Sequence, residues 1–195
     1  MITIINYGGG NIRSVMNLLD SLACEYSISN NEADILNSDK IIFPGQGHFG
    51  QSMESLREQK LDFAIHKAVE KGIPFLGICV GLQVLFESSE EAPGVKGLGV
   101  LNGTVEKFKT GKTPQVGWNN IITTQNNSYL KNDYYYFVNS YFVKPTDKTI
   151  ISSVADYNGE FCASIEKENL VALQFHPEKS GEAGRNAIKS WIFND

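Results

Sequence analysis

Three short stretches of this chain carry side chains that could do chemistry. The first is Gly77-Ile78-Cys79-Val80-Gly81, a G-x-C-x-G pattern where an apolar run gives way to a helix-period run. This is the thiol form of a nucleophile elbow, in which flanking glycines let the backbone bend tightly at the reactive residue. The bend lifts the sulfur above the carboxyl ends of the strands, where ligands bind in open α/β sheets. A helix N-terminus behind the sulfur favours the thiolate, and the Val80 amide is free to face an oxyanion. Taken alone, the same pattern also suits a buried cysteine packed between two glycines.

The second stretch is His176-Pro177-Glu178, closing the apolar run "LVALQF". In extended chain, residues two apart face the same side, so the imidazole and the carboxylate can converge. A carboxylate beside a histidine fixes its tautomer and stabilises its protonated form, as a base serving a thiol requires. An isolated His-x-Glu also suits a strand-end cap; with a cysteine elbow upstream, a Cys79-His176-Glu178 triad is the stronger reading. The third stretch, "PGQGHFG" over 44–50, follows an apolar run, and its glycine amides can supply a second oxyanion donor. The other histidines, His48 and His66, have no such neighbour, and His66 is expected on a solvated helix face.

Two other chemistries are excluded. The early "GGGN" cannot be a dinucleotide loop, because G-x-G-x-x-G needs a glycine at Arg13, and no GK[ST] follows it. No pair of His and Cys has the spacing of a zinc site, so neither metal nor cofactor is expected.

The elements that must hold these residues are legible as an alternation. Apolar runs at 2–6, 40–45 and 73–78 read as strands. Segments 11–22, 60–71 and 80–88 carry the helical period. Apolar runs without strict alternation, joined by helices, predict parallel strands buried on both faces. From about residue 97 the texture turns strand-rich, through "GVLNGTVEKF", "QVGWNNI", "YYYFVNSYFV", "TIISSVA", "EFCASIEK" and "LVALQFHPE", and "AGRNAIKSWIF" forms a last helix. The expected fold is α/β, a mostly parallel central sheet flanked by helices with an antiparallel-rich second half, as one domain over 1–195.

Composition sets the outer limits. The 195 residues are 42% hydrophobic and 20% charged, as in an ordinary globular domain, and the net charge of −5 argues against nucleic acid or an anionic membrane as partner. The N-terminus lacks a basic leader or cleavage pattern, and no apolar run approaches the roughly 20 residues of a membrane span. Three cysteines without C-x-x-C spacing argue against a disulfide framework, and a cytoplasmic setting is expected.

"GICVGLQVLFE" together with "QFHPEKS" resembles the triad-type glutamine amidotransferases. "NYGGGNIRSV", "PGQGHFGQSM", "PQVGWN" and "YYYFVNSYF" resemble, within that family, the glutaminase subunits that serve a separate cyclase in histidine biosynthesis. The resemblance runs from the first strand to the last helix and implies a flavodoxin-like glutaminase fold. It implies that Cys79 attacks the glutamine carboxamide, that His176 moves the protons and that Glu178 orients His176. It further implies oxyanion donors at Val80 and the Gln46-Gly47 segment, and glutamine contacts from Gly47, Gln83, Ser140 and Tyr141. The implied partner is a (β/α)8-barrel cyclase forming a heterodimer, with Asn11, Arg13, Trp118, Asn119 and Lys179 at or near the interface. Without a partner, Asn11 reads as a helix cap, Trp118 as core and Lys179 as a solvated charge.

Three positions depart from the usual pattern: Gln46 where valine is common, and Gln115 and Asn139 where histidine is common. None belongs to the triad. Two alternatives stay open beside the histidine pathway. One is a paralogous glutaminase supplying ammonia to amidate a surface-polysaccharide sugar; the other is a different thiol hydrolase or DJ-1-like protein on the same elbow.

Overall fold

The computed structural model describes residues 1–193. Its first part alternates β1 (Ile2–Ile5), α1 (Ile12–Ser21), β2 (Tyr26–Ser29), α2 (Glu32–Leu36), β3 (Lys40–Phe43), α3 (Phe49–Glu58), α4 (Leu61–Glu70), β4 (Phe75–Ile78) and α5 (Val80–Gln83). Strands then dominate: β5 (Ser88–Ser89), β6 (Gly103–Lys107), β7 (Gln115–Asn120), β8 (Ile122–Thr123), β9 (Tyr134–Asn139), β10 (Tyr141–Pro145), β11 (Ile151–Asp156), β12 (Glu160–Lys167) and β13 (Leu170–Leu173). Helix α6 (Gly181–Phe193) closes the described chain.

The main sheet runs β2-β1-β3-β4-β13-β12-β10-β6-β5, with β11 and β8 joined at the side of β12. Strands β2, β1, β3, β4 and β13 are mutually parallel, whereas β13, β12, β10 and β6 pair antiparallel. Strands β7 and β9 form a separate antiparallel pair. The expected architecture is therefore present. Every residue of β1, β4 and β13 is buried, the continuous apolar pattern of strands covered on both faces. Fully buried phenylalanines such as Phe43, Phe75 and Phe175 stabilise this core by about 1.5–3 kcal/mol each.

Register does the positioning. Phe43 lies opposite Gly77 across β3 and β4, and Leu173 lies opposite Ile78 across β13 and β4. The segments after Phe43, Ile78 and Leu173 therefore leave the sheet side by side at one carboxyl edge. Those segments are the three chemistry-bearing stretches.

One predicted element is much shorter than its periodicity implied. The helix expected over 80–88 is the single turn of α5. The backbone carbonyls that would continue it are taken by the 97–101 loop. Leu98 N donates to Val84 O at 2.8 Å, Leu101 N to Leu85 O at 2.9 Å, and Gly97 N to Glu87 O at 2.8 Å. A Cβ on Gly97 would lie 1.9 Å from Phe86 O, so this close docking needs a glycine there. His66 also differs from expectation: its ring is half-buried, with Nε2 2.8 Å from Leu98 O, and it joins α4 to the same loop. The segment 49–58 forms α3, with His48 as its cap: Nδ1 accepts from Gly50 N at 3.1 Å.

Candidate active site

Cys79 sits at the elbow with φ +55° and ψ −108°. A non-glycine residue held there costs of order 1–3 kcal/mol, which the surroundings must over-determine. They do. Cys79 N donates to Leu173 O at 2.7 Å, and its own carbonyl accepts from Leu82 and Gln83. A Cβ on Gly81 would lie 2.4 Å from Phe43 O, and one on Gly45 would lie 2.3 Å from Gly81 N. The turn after β3 and the elbow after β4 thus interlock through bare backbone. Because α5 is one turn long, its dipole contributes little to the thiolate, contrary to the long-helix expectation.

His176 supplies the charge instead. Its Nδ1 is 2.7 Å from Glu178 Oε1, and the Cys79 sulfur acts electrostatically on the same ring. Burial works against the imidazolium, yet the Cys79 sulfur and the Glu178 carboxylate outweigh it and raise His176 from 6.5 to about 10. Both side chains of the pair are buried, at 1% and 2% exposure, so the contact is not diluted by solvent. Glu178 Oε2 has no hydrogen-bond partner among the described residues, which leaves the carboxylate serving His176 alone.

The turn that carries His176 is held at both ends. Phe175 packs on Tyr135 and Phe137 of β9, with ring centroids 4.3 and 5.6 Å apart. His176 N donates to Tyr136 O at 2.9 Å, while Ser180 Oγ donates to His176 O at 2.6 Å and accepts from Tyr136 N at 2.9 Å.

Cys79 and His176 open onto a pocket of about 510 Å³. Gln46, Gly47, Val80, Gln83, Ser140 and Tyr141 all line it, so the structure brings together every residue expected to bind glutamine or its oxyanion. Glu178 stands behind His176 rather than at the wall. Gly47 adopts φ +111° and is exposed. Gln83 was expected to meet substrate; it is buried, and its Nε2 donates to Tyr141 O at 3.2 Å and Gln174 Oε1 at 3.1 Å.

Several participants were missed. Glu91 lines the pocket as a carboxylate suited to an ammonium group, and its Oε2 also accepts from Phe49 N at 2.7 Å. Nothing in its acidic neighbourhood, "SSEEAPG", singles it out. Gln174 had a signal: it is the polar residue in the run "LVALQF", and it is completely buried, with Nε2 3.8 Å from Cys79 Sγ. The departures Gln115 and Asn139 face each other across β7 and β9, both buried.

The expected interface residues divide. Trp118 is not core but 56% exposed, edge-to-face on Tyr136 at 5.9 Å. Val116 and Tyr134 are also exposed on the outer face of the β7–β9 pair. Asn11 caps α1, accepting from Ser14 N at 3.3 Å, and Arg13 is exposed. Helix α1 packs on the 177–179 turn, which carries the half-buried Lys179. Asn119 points elsewhere, donating from Nδ2 to Asp156 O at 2.8 Å.

The Glutamine amidotransferase class-I family model matches residues 3–194. The chain is 44% identical over 197 residues to the imidazole glycerol phosphate synthase subunit HisH of Methanocaldococcus jannaschii, covering 98% of each. It is 42% identical over 200 residues to the chloroplastic imidazole glycerol phosphate synthase hisHF of Arabidopsis thaliana, covering 98% of this chain and 34% of the plant protein. Among solved structures, a glutamine amidotransferase matches with a TM-score of 0.80 at 18% identity, over 98% of this chain and 97% of that one. The glutaminase domain of Trypanosoma brucei CTPS, with bound acivicin, matches with a TM-score of 0.67 at 16% identity, over 100% and 94%. These two likenesses concern the fold, whereas the matches over the sequence carry the kinship: this chain belongs to the class-I glutamine amidotransferases, among the HisH subunits of imidazole glycerol phosphate synthase.

Proposed function

We propose that the chain is a single glutaminase domain that hydrolyses the side-chain amide of glutamine and hands the ammonia to a separate cyclase in histidine biosynthesis. The observation that carries this reading is the imidazole of His176 lying between the Cys79 sulfur and the Glu178 carboxylate at a strained elbow. The names of the relatives favour the histidine pathway over a sugar-amidating one.

The chemistry follows from the proton inventory. His176 holds its proton at neutral pH, and the reaction runs from a thiolate–imidazolium pair. The Cys79 sulfur attacks the carboxamide carbon, and the C=O electron pair moves to oxygen. The amides of Val80 and the Gln46-Gly47 segment stabilise that oxyanion, each such donor supplying about 2.7–4 kcal/mol. The C–N bond then breaks. His176 gives its proton to the departing nitrogen, which leaves as ammonia, and a glutamyl thioester remains. Water attacks the thioester carbon, His176 takes one of its protons, and the C–S bond breaks to give glutamate and the starting thiolate–imidazolium pair. Gln83, Ser140 and Tyr141 hold the glutamine, and Glu91 faces its α-ammonium group.

The ammonia user is a (β/α)8-barrel cyclase that makes imidazole glycerol phosphate and aminoimidazole carboxamide ribonucleotide. Its seat is the outer face of β7–β9, where Trp118 is exposed, and the neighbouring edge of Asn11, Arg13 and Lys179; Asn119 supports that face from behind. An exposed apolar face of this kind suits an aromatic-anchored interface. A reactive thiol of this type belongs in the reducing cytoplasm.

A glutamine-derived electrophile tests the reading. It should label Cys79 and spare Cys24 and Cys162, and free glutamine should protect. Labelling that glutamine does not slow would turn the assignment toward another thiol hydrolase.

A further inference from the structure

Behind the glutamine-binding wall of the pocket, buried amides join the substrate contacts to the nucleophile. The Tyr141 carbonyl accepts from Gln83 Nε2 at 3.2 Å and from Asn139 Nδ2 at 3.0 Å. A carbonyl can only accept, so the Gln83 amide is fixed with its NH2 toward Tyr141. The same nitrogen donates to Gln174 Oε1 at 3.1 Å. With that oxygen committed, the Gln174 nitrogen faces Cys79 Sγ at 3.8 Å, a separation that suits a large sulfur acceptor. Flipping Gln174 would set NH2 against NH2, and flipping Gln83 would set carbonyl against carbonyl. Gln83 and Gln174 are at least nine-tenths buried, where such clashes are costly.

A neutral thiol is a weak acceptor, whereas a thiolate accepts strongly. We propose that Gln174 is a positioning residue for the nucleophile: its fixed N–H holds the Cys79 sulfur as thiolate. Through Gln83, it also ties that sulfur to the substrate-binding strand end at Tyr141. The proposal rests on Cys79 being the nucleophile. It gives a second anchor to a charge that the one-turn helix α5 cannot hold.

The test is the pH dependence of Cys79 alkylation by iodoacetamide in the full chain, read by peptide mass so that Cys24 and Cys162 are scored separately. The titratable groups facing Cys79 are His176 with Glu178 behind it, Tyr7 from the turn after β1, and Glu91 across the pocket; none changes in the variants. Gln174→Met keeps the length and removes the polar atoms. Its alkylation midpoint should rise by about one unit, with roughly tenfold slower labelling below the midpoint. Glutamine kcat should fall at least as much, with KM within about twofold, because the lost contact is to the nucleophile and not to substrate. If Gln174→Met does not fold, the smaller Gln174→Leu decides by the same readings. A midpoint equal to that of the unaltered chain, or a loss confined to KM, would overturn the proposal. An unaltered chain that hydrolyses no glutamine even with its cyclase bound, with the midpoint still shifted in the variant, would refute the glutaminase reading and leave the donor role standing.

Discussion

Two glycine-bearing turns leave neighbouring parallel strands and meet at the same sulfur, yet they are built in opposite ways. The elbow after β4 has no spare volume: a Cβ on Gly81 would meet the Phe43 carbonyl at 2.4 Å, and one on Gly77 would meet the Gly81 carbonyl at 2.8 Å. The turn after β3 begins in the same interlock at Gly45. Two residues later it is open, with nothing within 4 Å of where a Gly47 Cβ would stand. The elbow that carries the nucleophile is thus fixed by backbone contact, and the proposed oxyanion donor is not. A site of this design keeps its thiol ready and leaves the oxyanion loop free to be aligned by something outside the chain. A bound cyclase partner is the natural candidate, and adding it should raise glutaminase turnover.

The fixed side of this contrast includes His176 and Glu178, and breaking it there should have the largest effect. Glu178→Gln removes the carboxylate that helps to raise His176 to about 10. Because His176 must be protonated to release ammonia, activity is lost as pH rises through the folded-state value. The variant should lose roughly 10²–10⁴-fold in kcat. Its alkaline limb should also move down by about one unit. A pH–rate profile from 6 to 11 checks both, and an unmoved alkaline limb would contradict the assignment of His176 as the acid.

A smaller, sharper comparison substitutes the two glycines themselves. Gly81→Ala forces a methyl against backbone that cannot yield, and should destabilise the fold by about 3 kcal/mol. For a chain of this size that lowers Tm by roughly 10 °C. Gly47→Ala has space, and its open loop can relax away from φ +111° rather than hold the strain, so it should leave Tm within about 2 °C and cost about tenfold in kcat through the displaced oxyanion loop. Thermal unfolding beside glutamine turnover separates the two. Equal losses of stability at both positions would erase the distinction between the fixed and the open turn.

Much of this was legible in the residues. The parallel strands announced themselves as apolar runs, and the three functional stretches were visible because each is a backbone motif ending such a run. Glu91 and the short α5 were not. The helical period over 80–88 covers a run that is buried from 80 to 86, and only the distant 97–101 loop decides where the carbonyls go. Residue type alone reads Trp118 as core, and only the resemblance placed it at an interface; its exposure depends on β7 and β9 forming a pair apart from the main sheet. Gln174 lies between these cases. Its polarity inside an apolar run was a signal, and its partner Gln83 is ninety-one positions away in sequence.

The most direct measurement uses the assembled complex with its cyclase. Cys79→Ala should abolish glutamine-dependent product formation by at least ~10⁴-fold while product formation from added ammonia stays at the unaltered level. Retained glutamine-dependent synthesis, or equal loss of both activities in an intact complex, would contradict the account.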